Sequence, residues 1–132
     1  MSQPYSRPDA LLCIATLGKT TFTAGYYLNP QSTYSTPRIY KNNQIFYSPP
    51  YGGQGAVLQS LVVQSPDEDI YLGDYEINAE GVHVATLWQN YAKYMLTEGL
   101  YESEIRAIAA DGNTVYAAGY EMNSTGNYTA VV

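Results

Sequence analysis

Apolar and polar residues alternate along most of this chain in short runs, and the runs are separated by Gly, Asn, Asp and Pro. A period of two over a few residues, bounded by turn-forming residues, predicts half-buried β-strands. The runs fall at 11–17, 21–29, 38–40, 44–48, 57–64, 70–78, 82–89, 93–97, 104–110, 115–123 and 128–132. No stretch carries the 3.6-residue period of an amphipathic helix. Asn42-Asn43 reads as a tight turn, because Asn tolerates the positive φ that two-residue hairpin loops need. Asn90-Tyr91 stands in the same place 48 residues later. The cluster Pro49-Pro50-Tyr51-Gly52-Gly53 is the strongest breaker and bounds a first unit.

One run recurs. Val115-Tyr116-Ala117-Ala118-Gly119-Tyr120-Glu121-Met122-Asn123 has counterparts beginning at Ile70 and at Thr21. Internal repetition of this length indicates an array of equivalent supersecondary units. The fold expected is all-β: consecutive antiparallel four-stranded meander units at about 10–55, 56–103 and 104–132, after an arm at 1–9. About 40–50 residues per unit is the spacing of a β-propeller blade, so the architecture expected is a partial propeller of about three blades with the last incomplete.

Alternation within the motif puts Phe22, Ala24 and Tyr26 on one side, as it does Tyr71, Gly73 and Tyr75, and then Tyr116, Ala118 and Tyr120. Large beside small suits stacked, interdigitating sheets. On the other side Gly25 and Gly119 are matched by Asp74. That match argues against a position reserved for glycine by crowding, and for a bulge or left-handed residue.

Composition narrows the partners. Fifteen Tyr against two Phe and one Trp reinforces the strand-rich reading. Twelve acidic against six basic residues give a net charge of −6 with no basic stripe, which disfavours nucleic acid. Cys13 is the only cysteine, so it forms no intrachain disulfide and is read as a buried small hydrophobe. The first residues lack the pattern of a secretory signal, and no stretch has the length and apolarity of a membrane span. A cytoplasmic location is the default expectation, with a removed leader, a cell surface or a virion as the other settings.

Tyr116 to Glu121, Ala85-Thr86-Leu87-Trp88-Gln89-Asn90 and Leu96-Thr97-Glu98-Gly99 together resemble the propeller-like repeat of uncharacterised bacterial proteins common in Bacteroidetes. The resemblance covers 66–132 well and 10–65 loosely, where Tyr27 replaces the Glu and Tyr40 the Trp. It implies a propeller-like fold and no particular activity. Aligning the third unit on the second also puts Val132 on Leu87. The expectation is therefore a piece of a longer chain or a homo-oligomer, with a ring of two or three copies and the arm or a neighbouring chain over the open edge.

Candidate chemistry is thin. Glu76 and Glu121 share a repeat position, and paired carboxylates can serve as acid and base, although recurrence alone explains them. Asp67-Glu68-Asp69 lacks the spacing of a calcium loop, and Asp111-Gly112-Asn113 is a hairpin turn first. His83, the only histidine, has no Ser-His-Asp setting and reads as structural. Asn123-Ser124-Thr125 and Asn127-Tyr128-Thr129 match the glycosylation sequon. Trp88, Tyr91, Tyr94, Tyr40 and Tyr47 gather around the turns between third and fourth strands and are the best binding candidates, for a protein or a sugar face. No cofactor or metal is expected. The function expected is a non-enzymatic repeat module for protein–protein contact or assembly. A carbohydrate-binding module built on the Tyr/Trp cluster and a propeller glycoside hydrolase using Glu76 and Glu121 are the alternatives.

Overall fold

A computed structural model describes residues 9–28, 35–50, 52–64, 67 and 69–131. The arm at 1–8, most of the loop before the third strand and part of the Asp67-Glu68-Asp69 turn lie outside them. Eleven strands are present among the described residues. They are β1 (Asp9–Leu17), β2 (Thr20–Leu28), β3 (Ser35–Lys41), β4 (Gln44–Tyr47), β5 (Gly55–Gln64), β6 (Asp69–Ile77), β7 (His83–Gln89), β8 (Ala92–Met95), β9 (Ser103–Asp111), β10 (Thr114–Met122) and β11 (Tyr128–Val131). Each pairs antiparallel with the next inside its unit: β1 to β4, β5 to β8, and β9 to β11. A single parallel bridge, Ser35 with Gly55, joins the first two units, and neither resulting sheet closes on itself. Among the described residues no helix is long and apolar enough to cross a membrane.

The turns follow from residue chemistry. Asn42 and Asn43 have φ of 50° and 68°, as the β3–β4 hairpin requires. Asn90, in the equivalent turn, has φ 55°. Both turn asparagines also reach across to the start of the motif strand: Thr21 N–H donates to Asn42 Oδ1 (3.0 Å), and Ile70 N–H donates to Asn90 Oδ1 (2.9 Å). A second repeated device ends the motif. Asn78 Oδ1 accepts from Glu80 and Val82 N–H, and Asn123 Oδ1 accepts from Thr125 and Asn127 N–H, all within 2.9–3.0 Å. Gly81 and Gly126 close the two loops at φ +85° and +84°.

The units stack front to back. Paired residues share a side of a sheet, so the side bearing Phe22, Ala24 and Ile39 is the front of the first unit. It packs on the back of the second, where Leu58, Leu61, Val63, Ile70, Leu72 and Trp88 form one core with it. The front of the second unit then meets the third. A Cβ on Gly73 would strike the side chains of Ile105 and Ile108. The aromatic–small–aromatic face therefore does pack between sheets in the first two units. In the second unit the opposite face is buried as well, because it is the middle layer. Burying Phe22, Leu58 and Leu72 completely contributes about 1.5–3 kcal/mol each.

The Gly25/Asp74/Gly119 position departs from expectation. The bulge exists, but on the neighbouring strand, where Leu12, Gln59 and Arg106 are each the extra residue. Crowding does reserve glycine in two of the three units. A Cβ on Gly25 would fall on the Ala10 carbonyl oxygen, and one on Gly119 would fall on that of Glu104. Neither glycine is among the residues with positive φ, so left-handed backbone is not the cause.

Candidate functional site

The structure separates the five candidate aromatics. Trp88 is 2% exposed and belongs to the core between the first and second units, so its ring is unavailable for stacking on a ligand. Tyr40 holds the same place in the first unit, opposite Thr23 as Trp88 is opposite Leu72, but nothing packs over that face among the described residues and Tyr40 is only half-buried. Tyr47 and Tyr91 are brought together edge to face, with ring centres 4.9 Å apart. Tyr47 leans on the core while Tyr91 is 62% exposed. Tyr94 is exposed on β8, beside Met95 and Leu96.

The repeat carboxylates have unlike surroundings. Glu76 is buried, accepts from Gly52 N–H at 2.9 Å and is ion-paired to Lys93 at 2.8 Å. It thereby ties the connector between the first two units to β6 and β8. Glu121 is exposed and borders the surface formed with the next connector, 96–101. The two thus stand beside successive connectors rather than in one cleft. Cys13 is half-buried, donates weakly to the Ala24 carbonyl at 3.6 Å, and has its thiol pushed up to about 12 by burial, which leaves it unreactive.

Sequence reasoning missed the most connected polar group. His83 Nδ1 lies 2.7 Å from Glu104 Oε2 and 3.3 Å from Glu102 Oε2, and its ring stacks on Tyr75 at 4.0 Å. Gln59 Nε2 donates to Glu104 Oε1 at 2.9 Å, and Arg106 approaches the same oxygen. Burial pushes the Glu104 carboxyl up, but hydrogen bonds from His83, Gln59 and Tyr120 outweigh it and hold the group below the usual range. Burial and that same carboxylate push the Tyr120 phenol up to about 12. The cluster joins β5 and β7 of the second unit to β9 and β10 of the third. A signal was present in the sequence, since the only histidine precedes two spaced glutamates, but 19–21 residues separate them and only docking of the third unit closes the gap.

Glu104→Gln keeps the shape and removes the charge. A carboxylate with a depressed pKa supports the fold above its unfolded value, about 4.3, and loses that support as pH falls through the folded value. Glu104→Gln is expected to cost about 1 kcal/mol at pH 7 and nothing in strong acid. Urea midpoints measured across that range check this; an unchanged difference at all pH values would refute it.

Beside this cluster a cleft of about 330 Å³ opens between β7–β8 and β10. Ala85, Leu87, Ile105 and Val115 make it apolar, while Thr97, Ser103 and Glu121 line its polar part. The Ser103 hydroxyl is already engaged, accepting from Ala85 N–H at 2.8 Å and meeting Thr97 Oγ1 at 2.8 Å. Comparison with protein-family models, curated proteins and solved structures finds no match to the chain. Among the described residues no group of three or more His, Cys, Asp or Glu is placed to hold a metal ion. What the cleft offers chemically is apolar contact with hydroxyls and one carboxylate for orientation.

Proposed function

We propose that this chain is a β-propeller-type repeat module that acts by docking other proteins. The observation that carries the reading is an exposed apolar row from β8 into the following connector: Tyr91, Tyr94, Met95, Leu96, Leu100 and Tyr101 are 44–70% exposed. A concentration of exposed large apolar side chains along one edge strand and the connector after it supports an interaction surface. The row borders the apolar cleft, and β8 is a sheet edge, paired only to β7, that can accept another strand. Front-to-back stacking of meander units around the bulged inner strands β1, β5 and β9 supports a propeller-type arrangement.

Selection from a random peptide display library tests the docking reading. Extended peptides with alternating apolar residues are expected, and Tyr94→Asp is expected to weaken them at least about tenfold, as loss of an aromatic anchor does. Peptides that bind the Asp variant equally well, or no enrichment at all, would overturn it. The Tyr47–Tyr91 pair favours a second reading, because Tyr91 is 62% exposed and its ring is held edge to face by its partner. Glycan-array binding that disappears in Tyr91→Ala and survives Tyr94→Asp would select sugar recognition instead.

A further inference from the structure

The chain builds one kind of interface twice, and the two halves of a third copy of it lie open at its ends. In the second unit the back face carries Leu58, Leu61 and Leu72, all 7% exposed or less, under the front of the first unit. The first unit's own back face has Leu11, Ile14 and Thr23 at the equivalent pairing positions, and Leu11 and Ile14 are 58% and 66% exposed. At the other end, the front of the third unit carries Tyr116 where the first two units bury Phe22 (0%) and Tyr71 (9%). Tyr116 is 55% exposed, and farther along the same face Tyr128, set against Tyr120, is 63% exposed. Beside Tyr116, Ala107, Ala109 and Ala118 are exposed small residues.

We propose that a second copy of this chain docks head to tail, its first-unit back face on the third-unit front face. The occupant follows from what the chain already does. Fronts of this sequence pattern receive backs of this sequence pattern at both internal junctions, with equivalent strands facing each other: β1, β2 and β3 meet β5, as β5, β6 and β7 meet β9. The exposed front supplies small residues between tyrosines, and the exposed back supplies Leu11 and Ile14 to fill between them, which is the large-into-small fit of the internal cores. Front and back are different surfaces, so the contact is heterologous and repeats from copy to copy until it closes on itself. The inference rests on the repeat-module reading but uses neither β8 nor the cleft. Peptide binding that persists in a monomeric protein would remove this inference and leave that one standing.

Light scattering coupled to size exclusion tests it on the full chain. The native protein is expected at a whole-number multiple of 14.6 kDa. Ile14→Lys blocks only the back and Tyr116→Lys only the front. Each variant alone is expected to run as a monomer, because every contact needs one good face of each kind. Mixed in equal amounts, they are expected to form a two-copy species, from the front of the Ile14→Lys chain and the back of the Tyr116→Lys chain. Both positions are solvent-exposed, so circular dichroism should show native folding. Leu11→Lys and Tyr128→Lys replace them if either variant fails to fold. A monomeric native protein, a single variant that still self-associates, or a mixture that stays monomeric would each overturn the proposal.

Discussion

Trp88→Ala lowers the unfolding free energy by about 3–5 kcal/mol, the cost of emptying an aromatic site in a close-packed core. Trp88 sits on the back of the second unit, 2% exposed, in the cluster that includes Phe22, Ile39, Leu58 and Leu72. Its removal opens a cavity at the junction of two units, where both sheets would have to move to refill it. Against the roughly 5–15 kcal/mol that holds a domain together, the loss is large enough to unfold a substantial fraction of molecules near body temperature. Tyr91→Ala provides the contrast. With Tyr91 62% exposed and held by one edge-to-face contact, its loss is expected to cost under about 1 kcal/mol. Urea unfolding followed by far-ultraviolet circular dichroism measures both. Similar small losses in the two variants would show that the junction core does not depend on Trp88.

Asp74→Asn makes the protein more stable at neutral pH, by about 1–3 kcal/mol. Asp74 is fully buried, and neither carboxylate oxygen has a hydrogen-bond partner among the described residues. Burial first, and then the neighbouring Glu76, push its carboxyl well above the ordinary range. Lys93 opposes them, as does the Trp88 indole, which is nearby but outside good hydrogen-bond geometry. The sign follows from proton binding. In the unfolded chain the group ionises near pH 3.9, whereas the folded protein keeps its proton to higher pH. The folded state therefore binds more protons in that window, and stability falls as pH rises through it. Asparagine removes the ionisation, so the two unfolding free energies should converge in acid and separate as pH rises. Midpoints in urea from about pH 4 to pH 8 read this directly. Parallel curves, or a less stable Asn variant at pH 7, would refute it.

The local rules were the legible part of this fold. Asn42-Asn43, Asn90 and the turn glycines declare their hairpins because few residues adopt positive φ without strain, and alternation declares the strands between them. The paired loops closed by Asn78 and Asn123 were equally local but were read only as turns, since the side-chain oxygen that organises each loop leaves no composition signal beyond the Asn itself. The Gly25 and Gly119 positions misled for a different reason. Comparison with Asp74 suggested that a side chain fits, yet at Gly25 and Gly119 the carbonyl of the bulged partner strand stands where a Cβ would go.

Candidate-site residues were legible as types and not as environments. Tyr40 and Trp88 occupy equivalent positions on equivalent strands. One is half-open and the other sealed solely because a preceding unit covers the second. Glu76 and Glu121 differ for another reason: Gly52 of the connector and Lys93 of β8 enclose Glu76, whereas Glu121 lies exposed beside the 96–101 connector. The His83–Glu104 cluster left only the weak signal of one histidine ahead of two spaced glutamates, since its members come from β5, β7, β9 and β10 and meet only when the third unit docks. From its own amino-acid order the chain determined its all-β class, its strands and most of its turns, all of which depend on backbone conformation and side-chain alternation within a few residues. The stacking of the units alone decided which face of each sheet is core and which is surface, because burial is a property of what lies opposite a strand and not of the strand itself.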